Sequence, residues 1–155
     1  MTSKRLLAAL VVGIVSGAVL IAQASDPLIG TWKLNVEKSK GTPLKGGSTK
    51  IEKVGDGVKF TVEFVGADGT TSQWEFAGNY DGKDNPVTGN SPYGNAAALT
   101  RIDNNTIQIT AKKDGKVTTT STIVVAADGK TRTTTTKGMD AKGQPVDSVS
   151  LYEKQ

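Results

Sequence analysis

The sequence predicts an all-β protein, an antiparallel meander of about eight to ten strands closed into a barrel. Three observations predict it. Asp-Gly pairs punctuate the chain at Asp56-Gly57, Asp68-Gly69, Asp81-Gly82, Asp114-Gly115 and Asp128-Gly129, with Asp103-Asn104-Asn105 filling one gap. Such pairs accept the positive φ that tight hairpins need. Between them apolar residues alternate with polar ones, and no stretch carries a helical stripe. A sheet this wide with one apolar face must then curl on itself or leave its edges bare, and local hairpins make a barrel the economical closure. A two-sheet sandwich is the alternative.

The elements follow in order. The first strand is GTWKL, Gly30–Leu34. Residues 35–47 hold Gly and Pro breakers, with room for a single turn. Val58, Phe60, Val62 and Phe64 then alternate with Lys59, Thr61 and Glu63, and Trp74, Phe76 and Tyr80 with Glu75, Ala77 and Asn79. Segment 83–95 (KDNPVTGNSPYGN) interrupts the rhythm: it reads as a loop at a barrel mouth carrying Tyr93, or as a connector with a short strand at Pro86–Thr88. Ala97 and Leu99 share a face with Arg101, and Ile107, Ile109 and Ala111 share another. The last strands are expected at 117–125, 131–137 and 146–153. Their Thr-rich tracts suit strands on propensity, either as a solvated face or as an ordered hydroxyl array.

Residues 1–24 read as an export signal. Lys4 and Arg5 precede an uncharged apolar run from Leu6 to Ala22, and Ala22-Gln23-Ala24 offers a small-x-small cleavage site. The alternative is an uncleaved N-terminal membrane anchor. Removal leaves 131 of the 155 residues, one domain over 25–155. The segment takes two of the 19 basic residues and none of the 15 acidic, so the remainder carries +2. That balance offers no field for nucleic acid and no stable membrane insertion after signal removal. The expected product is an exported monomer, periplasmic or secreted. With no cysteine, core packing must hold it without disulfides.

Gly30-Thr31-Trp32 resembles the Gly-x-Trp motif that opens the first strand of the calycins, the lipocalins and fatty-acid-binding proteins. Val149–Lys154 resembles their closing strand, which pairs with the first. GTWKLNVEKSK, YDGKDNPVTGN (Tyr80–Asn90) and TTKGMDAKGQPV (Thr135–Val146) make the whole of 26–155 similar to small exported bacterial proteins called lipocalin-like. The resemblance implies that Gly30 lets the chain cross one barrel end closely and that Trp32 plugs it. Two departures stand out. Residues 35–47 are too short for the helical cap of fatty-acid-binding proteins, and Ser150-Leu151-Tyr152 keeps the Tyr of their Arg-x-Tyr carboxylate hook but not the Arg. Lipocalins also stack a late Arg on the motif Trp, and the last strand here has none.

The function classes narrow accordingly. There is no histidine, which removes the usual general base and the commonest metal ligand. Glu63 and Glu75 could face each other across the Asp68 hairpin, but both fall on wet faces. In NYDGKDN, Asn79, Asp81 and Asn85 alternate as a calcium loop would, but Lys83 stands where oxygen is wanted. The expectation is no enzyme, no metal and no cofactor. It is instead binding of a small hydrophobic or amphipathic ligand in the interior, by Phe60, Phe64, Trp74, Phe76 and Tyr80, with Arg101 or Arg132 available to an acidic group. Each aromatic could equally be core, and each Arg could reach solvent by its stem. The alternative is a structural or interaction domain of the cell envelope with a filled core.

Overall fold

The computed structural model describes residues 25–155, and the expected export signal, residues 1–24, lies outside them. The described chain is all strand and turn. Eleven strands run in chain order: β1 (Gly30–Lys40), β2 (Leu44–Val54), β3 (Gly57–Gly66), β4 (Thr71–Gly78), β5 (Asp81–Pro86), β6 (Thr88–Gly89), β7 (Ala96–Arg101), β8 (Thr106–Lys113), β9 (Lys116–Val125), β10 (Thr131–Met139) and β11 (Pro145–Lys154). All pairings are antiparallel, and the sheet order is β5-β7-β8-β9-β10-β11-β1-β2-β3-β4-β6. The first and last strands lie side by side, with Trp32 opposite Lys154 and Leu34 opposite Tyr152.

The two ends of that order, β5 and β6, are halves of one extended run divided at Val87. The first half pairs with β7 and the second with β4, so this single run all but closes the barrel. The β4 ladder stops because continuing the Glu75–Thr88 register sets Ala77 against Pro86, which has no N–H to give.

Turn chemistry works largely as the sequence implies. Asp114 and Gly115 both take positive φ, at 49° and 81°, in the two-residue loop between Lys113 and Lys116. The first hairpin is displaced by one residue, since Val54 pairs with Gly57 and the loop is Gly55-Asp56. No helical turn forms in 35–47. The chain stays extended in β1 and β2, and the irregularity is a register shift between Asn35 and Lys40, where the Ser39 hydroxyl donates to the Asn35 carbonyl.

The alternating faces converge on one core. Phe60 and Phe76 stand opposite each other in register and stack at 4.9 Å with planes 3° apart. Leu28, Trp32, Ile51, Val58, Leu99, Ile107, Ile123 and Val125 pack with them. Each such side chain contributes about 1.5–3 kcal/mol on leaving water. One barrel end is closed by the segment before β1. Leu28 is fully buried, and its carbonyl accepts the Trp32 indole N–H at 2.8 Å. Gly30 has φ of 140°, and a side chain there would run into the Lys154 stem.

Candidate functional site

Above this closed end the barrel interior holds a cavity of about 100 Å³. β3 and β4 bring Phe60, Phe64, Trp74 and Phe76 to its wall, because their period of two sends every other side chain inward. β9 and β10 bring Thr119, Ser121, Arg132, Thr134 and Thr136 to the opposite wall. The Thr-rich tracts are thus divided by the pleat, and half of their hydroxyls line the interior. Among the described residues that wall holds one guanidinium and no carboxylate.

The mouth is covered by the chain between β6 and β7. Tyr93 turns down from it and meets the Trp74 ring edge-on at 6.1 Å, while Trp74 meets Phe64 edge-on at 5.2 Å. The cover is tied on several sides. Ala141 N–H donates to the Pro92 carbonyl at 2.8 Å, Asn95 N–H to the Lys112 carbonyl at 2.9 Å, and the Thr118 hydroxyl to the Tyr93 carbonyl. Burial raises the Tyr93 phenol pKa, and the Asp140 charge adds to this.

Arg132 is the unusual wall residue. Its guanidinium carbon lies 4.3 Å from the centre of the Tyr152 ring and 5.4 Å from that of Trp32. It is 3% exposed, and among the described residues no carboxylate pairs with it. Its Nε and the Thr134 hydroxyl are buried without a hydrogen-bond partner. Burial lowers its pKa to about 10, and burial raises the Tyr152 phenol to about 12, partly offset by the Arg132 charge. The Arg over the first-strand Trp therefore exists. It comes from the strand before the last, where the linear motif gave no reason to look.

Of the residues expected to face a ligand, Phe60, Phe64, Trp74, Phe76 and Arg132 line the cavity. Tyr80 and Arg101 do not, and their expected position is corrected. β4 ends at Gly78, so Tyr80 leaves the alternation in the turn, and Arg101 ends β7 at the closed end of the barrel. There the Arg101 guanidinium pairs with Asp26 and lies 3.9 Å from the centre of the Tyr80 ring, whose hydroxyl donates to Asp26 at 2.8 Å. The broad depression beside them, about 960 Å³, is a surface of mixed polar and apolar lining, and the buried Leu28 and Trp32 lie between it and the interior. Glu63 and Glu75 are not opposite each other either; Glu63 faces Gln73, and Glu75 pairs with Lys59 at 2.8 Å.

Sequence reasoning missed Thr49, Thr119 and Ser121 as wall residues. A lone hydroxyl in a strand reads the same whether it faces water or a cavity. Compared with known proteins, the chain matches no family model and no curated sequence. Its architecture, a nearly closed antiparallel barrel, is compatible with a lipocalin-like fold.

Proposed function

We propose that this chain is an exported, lipocalin-like carrier of the calycin type that holds a small, partly apolar molecule inside its barrel without transforming it. The observation that carries the reading is the covered interior cavity, walled by Phe60, Phe64, Trp74 and Phe76 and roofed by Tyr93. An apolar chamber with a few convergent polar groups, on a rigid β scaffold, is the usual form of a small-molecule site. The wall has no pair of carboxylates for acid–base chemistry among the described residues. Export by residues 1–24, action as a monomer, and independence from cofactors and nucleic acid belong to the same reading.

Native mass spectrometry of protein purified from its own host tests it. A non-covalent mass that leaves on denaturation is expected. A chain that is always empty and takes up no small apolar probe overturns the carrier reading in favour of a purely structural domain.

A further inference from the structure

We infer that the cavity selects a short-chain carboxylate, its anionic end held by Arg132 and its hydrocarbon end against the aromatic wall. This deepens the carrier reading and rests on it. The argument starts from what is left unpaired. A buried guanidinium ordinarily has a carboxylate beside it, because leaving water without a partner is costly for a charge. Arg132 has instead two aromatic faces, Trp32 and Tyr152, on which it lies as a cation–π partner. Aromatic faces orient a guanidinium but accept no hydrogen bond in its plane, and Nε is left without an acceptor. The Thr134 hydroxyl, two residues along the same face of β10, is left without one as well. Two orphaned groups on one wall of one cavity describe a missing acceptor with more than one oxygen. A carboxylate matches a guanidinium in this way.

Size sets the rest of the ligand. A cavity of about 150 Å³ accommodates a molecule the size of benzene, so one of about 100 Å³ takes roughly four to six non-hydrogen atoms. Butyrate fits that limit; a long-chain fatty acid exceeds it. The far wall of Phe64, Trp74 and Tyr93 offers the hydrocarbon end apolar contact and gives a bare inorganic anion nothing in return.

The experiment is an NMR titration of the purified full-length chain with butyrate, butyramide, 1-butanol, octanoate and chloride, each alone. Butyrate is expected to bind at least tenfold more tightly than butyramide or 1-butanol, shifting amides of residues 119–123 and 132–136. Octanoate and chloride are expected to leave them unmoved. Arg132→Met should remove the preference for butyrate over butyramide, and Arg132→Gln repeats the test if the first variant does not fold. Equal binding of butyrate and butyramide overturns the assignment to a carboxylate while leaving the carrier reading in place. Shifts with chloride equal to those with butyrate overturn it in favour of an inorganic-anion site. Tighter binding of octanoate overturns the size limit. No shift with any of the organic probes overturns this inference and the carrier reading together.

Discussion

The Arg101 guanidinium lies 3.9 Å from the centre of the Tyr80 ring, and both side chains converge on the carboxylate of Asp26. The three come from the segment before β1, the turn after β4 and the end of β7. They therefore fasten the segment carrying Leu28 across the barrel end. The Asp26 and Arg101 side chains are only 20% and 27% exposed, so the pair is screened less than a surface ion pair. Asp26→Ala and Arg101→Ala should each lower stability by about 1–3 kcal/mol, with a coupling in the double mutant of about 1–2 kcal/mol. Urea denaturation of the four proteins measures it. Purely additive losses would show that the triad is incidental to the closure.

Trp32 supplies the second fastening. Trp32→Phe keeps most of the apolar volume but leaves the Leu28 carbonyl without its donor, costing about 1–2 kcal/mol. Trp32→Ala also opens a hole beneath Arg132 and should cost about 3–5 kcal/mol. Thermal and urea midpoints give both values. Equal losses in the two variants would mean that the indole hydrogen bond, and not packing, accounts for the effect.

Much of this was legible in the sequence. Period-two alternation identified the inward faces at 58–64 and 74–76, and Gly30 and Trp32 marked the closed end. Arg101 and Arg132 were not separable. Both are strand arginines sharing a face with neighbours that point inward, and their fates depend on where each strand ends. β7 stops at Arg101, which lets its stem reach Asp26, while Arg132, one residue inside the start of β10, is paired on both sides, with Val125 of β9 and Tyr152 of β11, and is held inside. Strand ends are set by pairing with neighbours distant in sequence, and a linear pattern does not contain them. The same is true of the division at Val87, which follows from Pro86 pairing with Ala96 of β7 while offering β4 no N–H.

All three tyrosines of the chain, Tyr80, Tyr93 and Tyr152, have phenol pKa values raised chiefly by burial. Asp26 adds to the rise at Tyr80 and Asp140 at Tyr93, while Arg101 and Arg132 oppose it at Tyr80 and Tyr152. A raised folded pKa gives stability that is full below the unfolded value of 10.0 and lost as pH climbs through the folded one, about 12 for Tyr152. Arg132 works the other way, since its lowered pKa makes the fold more favourable as pH rises from about 10 toward the ordinary guanidinium range. Three groups outweigh one, so stability should fall between pH 10 and 12. Absorbance at 295 nm should show almost no tyrosinate at pH 10.5 in the folded protein and substantial tyrosinate once urea unfolds it. A folded chain titrating three phenols near pH 10 would contradict these environments.

The cover over the mouth depends on Gly94. Its φ is 143°, and a Cβ there would sit 2.1 Å from the Lys112 carbonyl oxygen, the acceptor for Asn95 N–H. Gly94→Ala must therefore push the cover off β8, at about 1–3 kcal/mol. Amide exchange at 90–95 should quicken severalfold while that of β10 and β11 stays unchanged. Exchange that quickened uniformly would show that the cover and barrel open as one unit.

Arg132→Met has an outcome that distinguishes a site from a packing residue. Met is unbranched, adapts to irregular space and carries no charge into the interior. It forfeits the cation–π contacts with Trp32 and Tyr152, worth up to about 2 kcal/mol when desolvated. It also removes a charge that no carboxylate among the described residues neutralises, whose burial costs several kcal/mol. The second effect is the larger, so the ligand-free variant should be more stable than the parent by about 1–2 kcal/mol in urea. Saturating butyrate should narrow the difference, because it stabilises only the chain that retains the guanidinium. A gain in stability on losing Arg132 means the residue is there for something other than packing. A loss of several kcal/mol without ligand would instead make it a structural pin between Trp32 and Tyr152.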